Sequence, residues 1–386
     1  MAPRSMKIGR RLGFYFRIKN KVQGGTGSVK RKNLLFFLWI IAAALLSACG
    51  TTKGQITNHQ GPFYAQPAEK GKGLEQISLS RAQEEIILAL NPEKVTDREV
   101  REILSLAPAP RIINIHGGIY PVYLCMNSFS EFLIGMGYPE QKIRSIGDGS
   151  YSFSCYDDAD MIAGTIAWYY EKEVLRPMLI GHSQGGIQAV KVLHKLAGKF
   201  EPSLQVWNPQ TGKKEERDWI IDPHSGQKRP VVGIQLSYTS ALGAGGLTLT
   251  FPNQWSMISR LRSIPDTTVA FTGYYMSFDL LGGDYFGFGP ANKYHPNGKA
   301  EVRNVKLPFG TNHVIAPVTS QLAENRDTKE WINNYRPSDE PAVDAKFENS
   351  SMNIAWAADV WHSIKKHWVL ELKRVIQAKR AMANGQ

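Results

Sequence analysis

Residues 181–186 read Gly-His-Ser-Gln-Gly-Gly, and Gly181-His182-Ser183-Gln184-Gly185 fits the pattern G-x-S-x-G. A serine hydroxyl is a weak nucleophile until a neighbouring base takes its proton and fixed donors receive the oxyanion that forms. The apolar run Pro177-Met-Leu-Ile-Gly181 before Ser183 predicts a buried strand, and Gln184–Ala197 after it predicts a helix stopped by Gly198. A serine on such a turn lies beside the free N–H groups and the positive end of the helix, where a developing negative oxygen is stabilised. The base must be a histidine. Downstream of Ser183 the chain offers His194, His224, His295, His313, His362 and His367.

The elements that hold these residues alternate in type. Helices are predicted over Ser80–Leu90 and Thr96–Leu106, the second opened by Thr96 with Glu99 three residues on, the spacing of a capping box. Arg111–His116 reads as an apolar strand ending at Gly117-Gly118, residues 123–137 as a helix, Lys142–Ile146 as a strand and Asp157–Val174 as an amphipathic helix. Strand and helix in alternation predict an α/β protein with a mostly parallel central sheet covered on both faces. After Phe200 the rhythm breaks. Residues 202–230 read as an inserted hairpin with two turn signals, Val231–Leu236 as a strand, and about 240–262 as a Gly-rich, then apolar, lid-like segment that includes Gly243-Ala-Gly-Gly246. Thr267–Tyr275 and Val302–Leu307 are the last predicted strands. Asn353–Ala378 reads as a long closing helix whose Trp361 and Trp368 fall at core spacing.

With the serine motif in that setting, the chain resembles the α/β-hydrolase superfamily over roughly residues 105–380, and Gly-His-Ser-Gln-Gly-Gly is a form common among its lipases and esterases. The resemblance extends to Ile115-His116-Gly117-Gly118. It implies an α/β-hydrolase fold and a serine hydrolase that cleaves carboxylic esters through an acyl-enzyme, without a cofactor, on a small-molecule or lipid ester substrate. Ser183 is then the nucleophile, the N–H groups of Gly118 and Gln184 form the oxyanion hole, and His116 and His182 are structural. The base is assigned to His313, on a loop after the last strand, with His295 and His362 as alternatives. The acid is Asp279, at the end of Val269–Asp279, or Asp284 close behind it; Asp266 sits at the wrong end of that strand. Two other readings stay open: a non-catalytic binding protein on the same fold, and an acyltransferase using the same triad.

The formal charge of +12 suggests nucleic acid, but it is not spread along the chain. Residues 1–48 hold ten Lys and Arg and no carboxylate, and the remainder balances 36 basic against 34 acidic residues. A nearly neutral body gives no reason to expect a phosphate-binding surface, so no nucleic-acid partner is expected. HExxH, paired CxxC and P-loop patterns do not occur. Lys30-Arg31-Lys32 followed by the apolar Leu34–Leu46 predicts a signal peptide over 1–48. Leu46-Ser47-Ala48-Cys49 resembles the bacterial lipobox, which implies a fatty-acylated Cys49, a membrane tether over the polar residues 49–77 and, with Gly50 next, an outer-membrane location facing the periplasm. The folded domain is then 78–386. Export leaves Cys125 and Cys155 as an expected disulfide, closing a loop of about thirty residues for roughly 3 kcal/mol.

Overall fold

Six strands, all parallel, form the central sheet in a computed structural model of the chain. Residues 73–118, 120–287, 292–344, 347 and 352–384 are described. The predicted signal peptide, Cys49 and the tether through residue 72 lie outside them. In chain order the sheet strands are β1 (Ile112–His116), β2 (Phe153–Ser154), β3 (Met178–His182), β8 (Leu236–Leu242), β10 (Thr268–Tyr275) and β12 (Glu301–Lys306). Across the sheet they lie in the order β12-β10-β8-β3-β1-β2, so β3 is an interior strand.

The period of two along the strands sorts the core into two layers. Ile112, Met178, Ile180, Tyr238, Leu242 and Tyr274 point to one face, where they meet α3 (Tyr120–Gly135) and the long α8 (Ile354–Asn384). Ile113, Ile115, Leu179, Ala241 and Phe271 point to the other, under α4 (Ala159–Glu173) and α5 (Gln184–Leu196). Burial on both faces explains why the strands read as continuous apolar runs. Trp356, Trp361 and Trp368 of α8 are fully buried; truncating any one to alanine costs about 3–5 kcal/mol. Asp359 of the same helix is also fully buried, and it accepts from Tyr274 Oη at 2.6 Å, Arg303 Nη1 at 2.9 Å and Tyr335 Oη at 2.9 Å. A carboxylate stays there because it is paired and hydrogen-bonded.

Two short helices, α1 (Arg81–Ala89) and α2 (Asp97–Glu102), precede β1. The Thr96–Glu99 capping box forms in both directions, Glu99 N–H to Thr96 Oγ1 at 3.2 Å and Thr96 N–H to the Glu99 carboxylate at 2.7 Å. Helices α6 (Ser320–Glu324) and α7 (Arg326–Asn333) lie between β12 and α8.

The structure departs from the sequence reading in several places. Lys142–Ile146 is not a strand. Arg144 bonds back to Glu140 at 2.5 Å and to the Gly149 carbonyl at 2.9 Å, which curls this stretch into a 3-10 turn and loop. The edge position is taken by β2, whose two residues pair with Ile115 and His116. Residues 202–230 form two antiparallel ribbons instead of one hairpin, β4 (Trp207–Asn208) with β5 (Lys213–Lys214) and β6 (Trp219–Ile221) with β7 (Lys228–Pro230). Val231–Leu236 is a turn up to its last residue, because Gly233 at φ 93° breaks any extended run. A small parallel bridge joins β9 (Ser263–Pro265) and β11 (His295–Asn297).

The expected disulfide is corrected as well: Cys125 and Cys155 are separate buried thiols. Cys155 packs in the layer under α4 and α5, whereas Cys125 is carried by α3, on the opposite face of the sheet.

Candidate active site

Ser183 is placed by two neighbours at once. The end of β3 pairs with Leu242, and Ser183 N–H donates to the Leu242 carbonyl at 2.7 Å. Helix α5 starts at the next residue, with its first bond from Gly186 N–H to the Ser183 carbonyl at 2.9 Å. Between these anchors the serine is forced to φ 56°, ψ −125°, a conformation that non-glycine residues rarely adopt. The flanking glycines are required by contact. A methyl group on Gly181 would overlap the Gly185 carbonyl, and one on Gly185 would overlap the carbonyls of Ile115 and His116.

His313 follows β12 on a loop and faces the serine, with Nε2 2.8 Å from Ser183 Oγ and Nδ1 2.7 Å from Asp279 Oδ2. An ionised carboxylate only accepts, so Nδ1 carries the proton and Nε2 is left to accept from the serine hydroxyl. Asp279 follows β10 and is held in turn: Gly282 N–H donates to its Oδ1 at 2.8 Å, and the N–H groups of Gly283 and Asp284 both reach its carbonyl at 2.8 Å. Phe278 just before it is at φ 60°, so the acid, like the nucleophile, sits at a strained turn. The three side chains form one chain of hydrogen bonds and are each 8% exposed. All three stand at the carboxyl ends of sheet strands, where open parallel sheets place their ligands.

The remaining candidates fall elsewhere. Asp284 lines a recess with Arg262 and Asn292, and its Oδ2 finds no hydrogen-bond partner among the described residues. His295 is exposed on β11, and His362 bonds the Glu93 carbonyl from α8 at 3.2 Å. His194 faces the Arg260 carbonyl, His224 accepts from Arg374, and His367 stacks on Tyr238. Asp266 holds the N–H groups of Lys299 and Ala300 at the other end of β10.

Two residues act on His313 in ways the sequence reading did not reach, although it took His182 as structural. His182 is fully buried, and burial beside His313 holds its pKa well below the usual histidine range, so it is neutral. Its Nε2–H donates to the His313 carbonyl at 2.8 Å and pins the loop that carries the base. Gly243, read as part of a lid, is instead the floor under the His313 ring. It sits at φ 59°, and a methyl group there would come within 2.9 Å of ring atoms Cε1 and Nδ1. Nothing in the sequence places residue 243 against residue 313; only its backbone conformation carries a signal.

On the far side of the serine lie Gly118 and Gln184. The N–H groups of Gln184 and Gly185 open α5 beside Ser183, ahead of its first internal bond. Gly118 follows β1 and fits under the Gln184 side chain: a methyl group here would overlap the carboxamide oxygen and approach Tyr156 Oη to 2.9 Å. His116 turns away, its Nδ1 2.7 Å from the Gly117 carbonyl, and burial lowers its pKa. Around the site the loops present apolar side chains to solvent. Phe278 and Leu280 flank the acid, and Phe309 (81% exposed) and Ile315 flank the base. Of the apolar residues read in the lid-like segment, Met257 is core, while Trp255 and Ile258 are exposed.

Such an arrangement can draw a proton from a serine hydroxyl and hold the resulting imidazolium against a carboxylate. It defines an α/β protein with a parallel six-stranded sheet and a hydrogen-bonded serine–histidine–aspartate series along its carboxyl edge. Compared with protein families, with curated proteins and with solved structures, the chain matches none.

Proposed function

We propose that the protein is a serine hydrolase of the α/β-hydrolase type that cleaves carboxylic esters, with residues 202–230 as an insertion and, of 240–262, only the part beyond β8 and Gly243 as a lid-like segment. The observation that carries this reading is the unbroken path from Ser183 Oγ through His313 to Asp279, at 2.8 and 2.7 Å. Ser183 Oγ attacks the ester carbonyl carbon while His313 Nε2 takes its proton. The carbonyl oxygen becomes an oxyanion held by the N–H groups of Gln184 and Gly118. His313 returns the proton to the departing alcohol, leaving an acyl-serine. Water, activated by the same Nε2, releases the acid and restores Ser183. Asp279 holds the imidazole in the tautomer that accepts at Nε2. The exposed apolar side chains around the opening favour esters with apolar acyl groups over charged substrates.

The site is proposed to work in the cell envelope, tethered through an acylated Cys49; Cys49→Ser then abolishes labelling by a fatty-acid analogue. Among the described residues no helix is long and apolar enough to cross a membrane. The reaction is tested with a fluorophosphonate probe and a series of p-nitrophenyl esters of increasing acyl length. Labelling confined to Ser183, lost with turnover in Ser183→Ala, is the expected result. A wild-type protein that neither labels nor turns over any ester overturns the reading in favour of a binding role. Transfer of the acyl group to an added alcohol in preference to water marks an acyltransferase.

A further inference from the structure

The two donors proposed for the oxyanion are not equally secured. Gln184 N–H belongs to the first turn of a thirteen-residue helix and has no freedom to turn. Gly118 N–H sits in a Gly117-Gly118 pair just past the end of β1, where glycine backbone turns freely; the carbonyl of its own peptide is met by His116 Nδ1 at 2.7 Å, which leaves the Gly118 carbonyl side to be held. A donor aimed at a transition state is effective only when it is held in place beforehand.

We propose that Tyr156 is the positioning residue that holds Gly118. Its hydroxyl donates to the Gly118 carbonyl at 2.9 Å, across 38 residues of sequence. The base of Tyr156 is itself tied to the nucleophile helix: Gln188 Nε2 of α5 donates to the carbonyl of the adjacent Asp157 at 2.5 Å, and the Asp157 carboxylate accepts from Ser154 N–H at 2.7 Å. Gln188 lies one turn beyond Gln184 on the same helix. A continuous path therefore runs from the helix that fixes one donor to the loop that carries the other, through Asp157 and Tyr156. The Gln184 carboxamide closes the opposite side, where it leaves no space for a side chain on Gly118. Tyr156 is 53% exposed, with its ring at the mouth of the site and outside both apolar layers. Such a ring adds little to the core. Its hydroxyl fixes Gly118 from the carbonyl side, through the peptide next to the one that carries the Gly118 N–H.

This role rests on the hydrolase reading and is tested in the full chain with Tyr156→Phe, which removes one oxygen and keeps the ring. The expected result is a fall in kcat of about tenfold with KM within about twofold, because the loosened donor acts on the oxyanion and not on the bound ester. Affinity for a boronic acid, which forms a tetrahedral adduct on the serine, falls by the same factor. The thermal midpoint stays that of the wild type. Gln188→Met, which frees the base of Tyr156, produces a smaller loss and adds nothing further in the double variant, because both act through one path. An active wild type whose Tyr156→Phe variant matches it in kcat and boronate affinity overturns the proposal and leaves the hydrolase reading intact. Additive losses in the double variant overturn the path through Gln188. A wild type inert toward esters and fluorophosphonate removes the reaction itself, and this role with it.

Discussion

His182 donates its Nε2–H to the main-chain carbonyl of His313 at 2.8 Å, so the residue beside the nucleophile fixes the backbone of the base 131 positions later. The two rings lie 5.2 Å apart. His182→Phe keeps a ring in the buried space but removes the donor. Its expected effect is a loss of about tenfold to a hundredfold in kcat with little change in KM, because only the alignment of His313 with Oγ suffers. His182→Asn, which keeps a donor, recovers part of the loss. Steady-state kinetics on one soluble ester checks both, and full activity in His182→Phe shows that the loop is held by other means.

The two candidate acids are now distinguishable. Asp279→Asn presents an amide to His313 Nδ1 and favours the tautomer that cannot accept from the serine, so kcat is expected to fall by about 10³–10⁴. Asp284→Asn, away from the imidazole, is expected to stay within about threefold of wild type. Rates for the two variants side by side decide the matter, and a reversed order moves the triad acid to Asp284.

Stability is expected to decline with mild acid. His182 and His367 are both buried, His367 with Lys366 and Arg176 as well as Glu371 and Glu93 near it. Burial holds the pKa of His182 well below 6.5 and brings that of His367 to about 4. His116, His194 and His362 shift the same way, again through burial. Above pH 6.5 neither folded nor unfolded chain protonates these rings. Below it the unfolded chain binds protons that the folded chain refuses, so stability is full above 6.5 and is lost as the pH falls toward about 4. His367 alone accounts for a loss on the order of 3 kcal/mol across that window. Calorimetry should find the thermal midpoint flat from pH 8 to 7 and several degrees lower at pH 5. A midpoint that holds steady down to pH 5 contradicts the neutral burial of these histidines.

Both body cysteines are expected to be free. Burial raises the pKa of each thiol, that of Cys155 far above the usual thiol range with the Asp157 carboxylate adding to the effect. Such thiols react slowly in the folded protein. Unfolding without reductant should expose both to iodoacetamide, and peptide mapping should find Cys125 and Cys155 each alkylated. A linked pair of peptides counts against the structure at this point.

How much of this was legible in the sequence depends on how local each feature is. The turn around Ser183 was legible because its causes lie within six residues: apolar strand, glycines, helix. The Thr96 cap was legible for the same reason. His313 was reachable through its place after the last strand. The edge strand was missed because Phe153–Ser154 is only two residues long, while the apolar Ile143 and Ile146 imitate a strand that Arg144 folds into a loop. Asp279 and Asp284 lie on one loop, and no local pattern separates them. Gly243 and His182 act on a residue far away in the chain, so their roles exist only once the sheet has formed.

Helix α8 follows every strand of the sheet in chain order, yet its three tryptophans are buried on one face of that sheet, which it shares with α3. During synthesis this side is completed only when α8 leaves the ribosome, long after α3, β3 and the serine turn have emerged. Until then this face has α3 but not α8, and the Tyr274 and Arg303 side chains lack Asp359. The elements that place the nucleophile are therefore made well before the helix that finishes the sheet beneath them. That timing suits a polypeptide proposed to cross a membrane as an extended thread, because its last long segment, and not its first, decides when folding finishes.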